Sequence, residues 1–356
     1  MRFGLGPYEL GSYWGESHLN VYEEMLEQGE LAEEQGFDSV WIAERHFTPE
    51  GACPSPETAA AALAVRTEAV RIGLITSITL TNPLYVAEDV AVVDCIANGR
   101  VIVVPEPGRR RAEVSGYNAG TDDAQARYAE ALEVILKSWA PTAFAHDGRN
   151  WRLPGRDFRG NPFAEGVTEI NVTPKPAQLN VPVWIPGHDR AAVDWAARKG
   201  FPWLGSPFDT LAQLKEKQEA YGRILASAGR ETQGLLFPVL REVYVGETDQ
   251  EARADVEEGL LALYGSYRKW GILPDAPASF DALAKDRFII GDVDHVIGEI
   301  ERYRSEAGVN YLICRTVFPG LSHAKAMSAI KFLGQSVIPE FRMASFPREI
   351  RRRTRA

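Results

Sequence analysis

The strand candidates of this sequence are apolar on both faces, and nothing else in it restricts the fold as much. Val40-Trp41-Ile42-Ala43, the run RIGLITSITL at 71–80 and Val101-Ile102-Val103-Val104 are apolar nearly throughout, without the alternation of a half-buried strand. Antiparallel sheets commonly keep one wet face. Parallel sheets are covered by helices on both, so strands of this kind belong to parallel sheet. Helix-period segments lie between them, giving three strand–helix units in about the first hundred residues.

Read in order, strands are expected at 2–7, 40–43, 71–80, 100–104, 183–185, 201–206, 235–245 and 311–315. Helices are expected at 22–35, 57–66, 85–96, 122–139, 190–198, 211–228, 251–271, 292–306 and 322–337. Gly36 and the pair Asn98-Gly99 are natural helix stops. Eight strands with intervening helices fit an α/β fold, a (β/α)8 TIM-like barrel forming a single domain over 1–345, with insertions at about 140–180 and 246–290. A short hairpin near 149–153 and an edge strand at 168–173 are expected in the first insertion. A doubly wound sheet has the same alternation, because counting strands does not establish closure. Residues 346–356 form a basic tail.

The formal net charge of -10 argues against a nucleic-acid partner, which needs a basic footprint. The basic residues of the tail (Arg348, Arg351, Arg352, Arg353, Arg355) read as a solvated terminus. Three cysteines form no disulfide framework and no zinc pattern, so no metal is expected. Cys95 and Cys314 read as small core hydrophobes, and Cys53, in a loop past His46, as either a site thiol or packing. There is no apolar run of about 18 residues, and the chain starts on a strand rather than a signal peptide. A cytoplasmic protein with no membrane partner is expected.

Candidate chemistry gathers at strand ends. Glu44, Arg45 and His46 follow the strand at 40–43 directly. Burying three ionisable groups there is costly unless they are paired or used, and in α/β folds that end of the strand binds ligands. His46 can donate or accept a proton near neutral pH. The same placement suits a histidine that only bonds Glu44 or a carbonyl. Arg45 suits an anion or a salt bridge with Glu44. Ser77 and Thr79 alternate with Ile78 and so share a face if the strand continues through them. Pro105 and Pro107 stiffen a charged loop carrying Glu106, Arg109, Arg110 and Arg111, in which the arginines suit either a phosphate or solvent. Gly187, His188, Asp189 and Arg190 open a helix, whose free N–H groups suit a phosphate. Asp189 is a good N-cap but repels a dianion, which His188 and Arg190 offset.

At Trp41-Ile42-Ala43-Glu44-Arg45-His46-Phe47 the chain resembles the bacterial luciferase-like flavin monooxygenases. The resemblance recurs in order at Ala87-Glu88-Asp89-Val90, Asn98-Gly99-Arg100, Arg127-Tyr128, Val181-Pro182-Val183-Trp184-Ile185, Ala196-Ala197-Arg198-Lys199-Gly200, Phe318-Pro319-Gly320-Leu321-Ser322 and Val337-Ile338-Pro339. It implies a TIM-like barrel that binds reduced FMN, or F420 in sister branches, at the strands' carboxyl ends. It also implies activation of O2 toward a small or medium organic substrate, a separate flavin reductase, and a homodimer. Carried over by position, His46 is the proton donor or acceptor, with Glu44 as its orienter and Arg45 beside them. Ser77 and Thr79 face the flavin ring, and Tyr128 with residues 187–190 lies near the phosphate. The chain departs from the family pattern at Arg45, where a histidine is usual. It departs also at Pro105–Pro107, where glycines are usual, and at Asp189, where a small hydroxyl residue is usual. An FMN-dependent monooxygenase, an F420-dependent oxidoreductase and a non-catalytic flavin-binding barrel subunit all remain open on these residues.

Overall fold

The computed structural model describes residues 1–8, 17–48, 51, 53–108, 110–119, 123–155 and 167–342. The tail expected at 346–356 lies outside the described residues.

The first half contains β1 (Arg2–Tyr8), α1 (His18–Glu34), β2 (Ser39–Ala43), α2 (Pro56–Arg66), β3 (Arg71–Ser77), α3 (Pro83–Ile96) and β4 (Val101–Glu106). A short α4 (Arg111–Gly116) and α5 (Ala124–Trp139) follow, then a hairpin of β5 (His146–Asp147) and β6 (Arg152–Leu153). The second half contains β7 (Ile185–Gly187), α6 (Arg190–Lys199), β8 (Trp203–Gly205), α7 (Leu211–Ser227), β9 (Pro238–Val245) and α8 (Asp249–Lys269). It ends with α9 (Phe280–Ala284), β10 (Ile289–Gly291), α10 (Val293–Ala307), β11 (Tyr311–Arg315) and α11 (His323–Phe332).

Eight strands form one parallel sheet in the order β4-β3-β2-β1-β11-β9-β8-β7. Its two edges meet at a parallel bridge, Val103 with Val183, through Trp184 N–H to Val103 O and Val103 N–H to Pro182 O, each 2.9 Å. The fold is therefore the expected barrel and not an open doubly wound sheet. Helix ends follow their sequence signals. Asn82 caps α3 by accepting from Leu84 N–H, with Pro83 in the first turn, and Thr210 with Gln213 closes a capping box on α7.

Several boundaries differ from expectation. The strand expected to reach residue 80 stops at Ser77, and Ile78 turns to donate its N–H to Glu106 O. Pro105 and Glu106 extend β4, and Arg111 starts a helix where a charged loop was expected. Strand β7 begins two residues later than expected, at Ile185. The hairpin forms, while the expected edge strand at 168–173 reduces to one bridge, Phe144 with Ile170. Within the second insertion, Ile289–Gly291 was missed as a strand and pairs with β9. Its three residues are too few for periodicity to register. Cys95 is exposed on α3, its thiol donating to Lys175 O, because its position faces away from the sheet; Cys53 and Cys314 are buried.

The barrel interior is filled by Trp41, Trp184, Tyr311, Ile313, Leu240, Leu204, Ile102 and Val104. The Trp41 ring lies 5.0 Å from Trp184, which meets Tyr311 edge-on at 5.2 Å. Ser39 accepts from both the Trp41 indole and the Tyr311 hydroxyl at 2.6 Å. An indole fits at the centre because its neighbours are small: a Cβ on Gly73 would lie 2.1 Å from the Trp41 ring. Filling this space overpacks a rigid interior. Gly73→Ala is expected to cost about 1–3 kcal/mol, read as a lower urea midpoint with unchanged slope. An unchanged midpoint would mean that Trp41 can move aside.

Candidate active site

The carboxyl ends of the barrel strands carry three polar clusters. The first is built on β2. Where that strand ends, Glu44 turns its carboxylate back between β2 and β3. Its Oε2 accepts from Thr76 Oγ1 (2.9 Å) and Ser77 N–H (2.6 Å), and its Oε1 lies 2.6 Å from His46 Nε2. Glu44 and His46 are both buried. The other imidazole nitrogen, Nδ1, lies 3.0 Å from the Tyr117 hydroxyl. Glu113 accepts from His46 N–H at 3.3 Å. Glu113 and Tyr117 are four residues apart at α4, so both face the loop after β2. Arg45 donates to Glu44 O rather than to its carboxylate, and its stem packs on Gly51. Burial pushes the Glu113 carboxyl up, opposed by Arg110 and Arg45, and burial with Glu44 and Glu113 nearby holds the Tyr117 phenol above its usual range.

The second cluster joins β4 to β7. Glu106, in register with Ser77, pairs with His188 Nε2 at 2.9 Å. Asp189 caps α6 by accepting from Ala192 N–H (2.8 Å), and Arg190 pairs with Asp194 on the outer surface. Lys217 donates to Gly187 O and pairs with Asp209 at 2.7 Å. Tyr128 is buried and donates to Pro105 O (3.1 Å), which braces α5 against β4. Thr79 lies past the end of β3 and donates to Pro107 O at 2.7 Å, so the face-sharing expected of Ser77 and Thr79 does not extend along a strand. Arg109 lies outside the described residues.

The third cluster went unread in the sequence. Glu242 on β9 and Arg315 on β11 are register partners at the mouth end of the barrel interior, 3.4 Å apart and buried. Arg315 also donates to the Tyr267 hydroxyl at 3.0 Å. Tyr264 and Tyr267 come from α8, which ends at Trp270 under the Arg110 guanidinium, 5.0 Å away, just before α4. The second insertion thus reaches from the end of β9 to the end of β4. Burial pushes the Glu242 carboxyl up, and Arg315 opposes it. A sequence signal did exist: Glu242, beside Arg241, and Arg315 interrupt apolar strands, as Glu44 follows one.

One more charged residue stands at the rim. Arg127, at the start of α5, donates through Nε to Thr79 O (3.3 Å), and its guanidinium stacks 4.6 Å over Trp151. No carboxylate among the described residues pairs with it. Across the loop, Gly108 has φ +60°, and a Cβ there would meet Leu80 and Thr79 at 3.0–3.2 Å. No helix among the described residues is long and apolar enough to cross a membrane.

Glu57, in the first turn of α2, adds a carboxyl behind this rim. Burial pushes it up to about 7, and the charges of Glu44 and Asp89 act in the same direction against nearby Thr76. A raised carboxyl binds more protons folded than unfolded between its ordinary 4.5 and 7, so stability falls as pH rises through that window. Glu57→Gln is expected to stabilise the protein at pH 8 by about 1–3 kcal/mol. It should do nothing at pH 4, as read from urea midpoints at both values. Equal effects at the two pH values would show that the carboxyl is not raised.

A family model described as luciferase-like monooxygenase matches residues 6–311. The oxygenase component of a flavin-dependent trigonelline monooxygenase from Acinetobacter baylyi is 22% identical over 364 residues, covering 96% of each chain. A solved monooxygenase from Streptomyces bottropensis superposes with TM-score 0.83 at 21% identity, covering 96% of this chain and 100% of that one. The FMN complex of the oxygenating constituent of 3,6-diketocamphane monooxygenase from Pseudomonas putida superposes with TM-score 0.80 at 20% identity, covering 96% and 98%.

Proposed function

Because the chain belongs to the luciferase-like monooxygenase family, we propose that it is the oxygenase of a two-component system. It takes reduced FMN from a separate flavin reductase and uses O2 to oxygenate a small or medium organic substrate. The observation that carries this reading is the buried Glu44–His46 pair, an acid–base unit at the carboxyl end of a barrel strand. Reduced flavin, when bound, supplies the electrons that activate O2.

The residues fit FMN at one corner and not at another. The start of α6 already holds the Asp189 carboxylate on Ala192 N–H, with Glu106 nearby through His188, so a phosphate dianion is repelled there. Arg127 is the better phosphate partner. It has no carboxylate partner among the described residues and is oriented by Trp151 and Thr79, and a guanidinium binds phosphate with two parallel donors. Gly108 lets the backbone after β4 pack closely on Leu80 and Thr79 of the loop after β3. Ser77, at the end of β3, lies beside Glu44 and lines the same rim. Helix α8 of the second insertion, which ends at Trp270 under Arg110, covers part of the mouth.

Anaerobic titration with reduced FMN is expected to quench flavin fluorescence with a Kd in the micromolar range. Arg127→Ala should weaken it about ten- to hundredfold, while Asp189→Ala should not weaken it. No binding of FMN in either redox state would overturn the reading, and tight binding of F420 instead would turn it to hydride transfer.

The family reading extends to a homodimer. Tyr85, Val92 and Ile96 share one face of α3, exposed at 66%, 42% and 45%, and Val65 on neighbouring α2 is 74% exposed. Apolar residues grouped in this way mark an interaction face. Sedimentation should give a dimer, and the double variant Val92→Glu with Ile96→Glu should sediment as a folded monomer. A monomeric parent protein would sink this assignment.

A further inference from the structure

We infer that Tyr117 is the group that exchanges protons with the reacting oxygen or substrate, and that His46 and Glu44 act through it. This rests on the reading of the rim as a flavin monooxygenase site. Both imidazole nitrogens of His46 are already engaged, Nε2 with Glu44 at 2.6 Å and Nδ1 with the Tyr117 hydroxyl at 3.0 Å. The residue is 6% exposed and both nitrogens are taken, so neither faces a ligand directly. Tyr117 is 39% exposed and stands beside Phe47, itself 61% exposed, with ring centroids 5.4 Å apart. The chain Glu44–His46–Tyr117 therefore runs from the protein interior to the rim, and Tyr117 is its exposed member.

The hydrogen bonds define the direction of the chain. The Glu44 carboxylate accepts from Thr76 and Ser77, so it also accepts from His46, and Nε2 carries the hydrogen. Nδ1 is then the acceptor and Tyr117 donates to it. As a base, the phenolic oxygen takes a proton from the substrate while its own proton passes to Nδ1, leaving an imidazolium held by the Glu44 carboxylate. As an acid, the reverse transfer delivers one proton to the departing oxygen and returns His46 to the neutral form. No electrons move in either step. Glu113, accepting from His46 N–H, and the T-shaped contact of Tyr117 with His46 at 4.8 Å hold α4 in the register that the chain needs.

The test uses the full chain without a known substrate. In flavin-free protein labelled with 15N-histidine, His46, identified by its loss in His46→Gln, should show a protonated Nε2 and a hydrogen-bonded, unprotonated Nδ1. Tyr117→Phe should shift the Nδ1 resonance toward that of a free acceptor. In stopped flow, reoxidation of bound reduced FMN by O2 to hydrogen peroxide should slow by about a hundredfold in Tyr117→Phe. The Kd for reduced FMN should be unchanged, and 3-fluorotyrosine at position 117 should restore the rate. An unaltered reoxidation rate in Tyr117→Phe, or an unshifted Nδ1, would overturn the inference. If FMN does not bind the parent protein, the flavin reading falls and the relay stands or falls on the nitrogen resonances alone.

Discussion

Glu44 accepts hydrogen bonds from the side chain of Thr76, the backbone of Ser77 and the ring of His46. A buried carboxylate is costly unless its oxygens are met, and here the donors come from β3 and from the loop after β2. The consequence is geometric. The ends of β2 and β3 are tied together, the tautomer of His46 is set, and α4 docks on the residue that Glu44 orients. Removing the carboxylate would leave three buried donors unmet, so the rim depends on it for shape as well as for acid–base character.

Beneath that rim the barrel is a packed solid. Trp41 lies on the strand that leads into Glu44 and fills the centre, with room made by Gly73 and a hydrogen bond to Ser39. The layer above changes character: Glu242 and Arg315 replace apolar residues on the inner face and meet two tyrosines from α8. The strands are thus apolar where they pack and polar where they end. The second insertion supplies the side chains that close over the polar part.

Much of this was legible in the residues. Eight apolar strands, their helices and the stop signals at Gly36 and Asn98-Gly99 follow from local patterns, and Glu44 beside His46 could be paired from adjacency alone. The partners that came from elsewhere were not legible. Glu113 and Tyr117 lie between the charged loop and the helix expected at 122–139, where no element was expected, because a six-residue helix gives no periodic signal. Arg127 stood in a matched motif as the neighbour of Tyr128, yet it is Arg127 that has no carboxylate partner among the described residues, while Tyr128 turns inward to Pro105. Thr79 was placed on a strand that bends away two residues earlier.

The sequence by itself determined the fold class, the family and the strand end at which chemistry collects, because burial pattern and local spacing are properties of consecutive residues. Closure of the barrel at Val103 and Val183 was decided by tertiary structure, since it joins segments about eighty residues apart. So was the pairing of Glu242 with Arg315, and the seating of Tyr117 on His46. A hydrogen bond requires its two atoms within about 3 Å, and only the packed barrel brings the loop after β2 and the end of α4 that close.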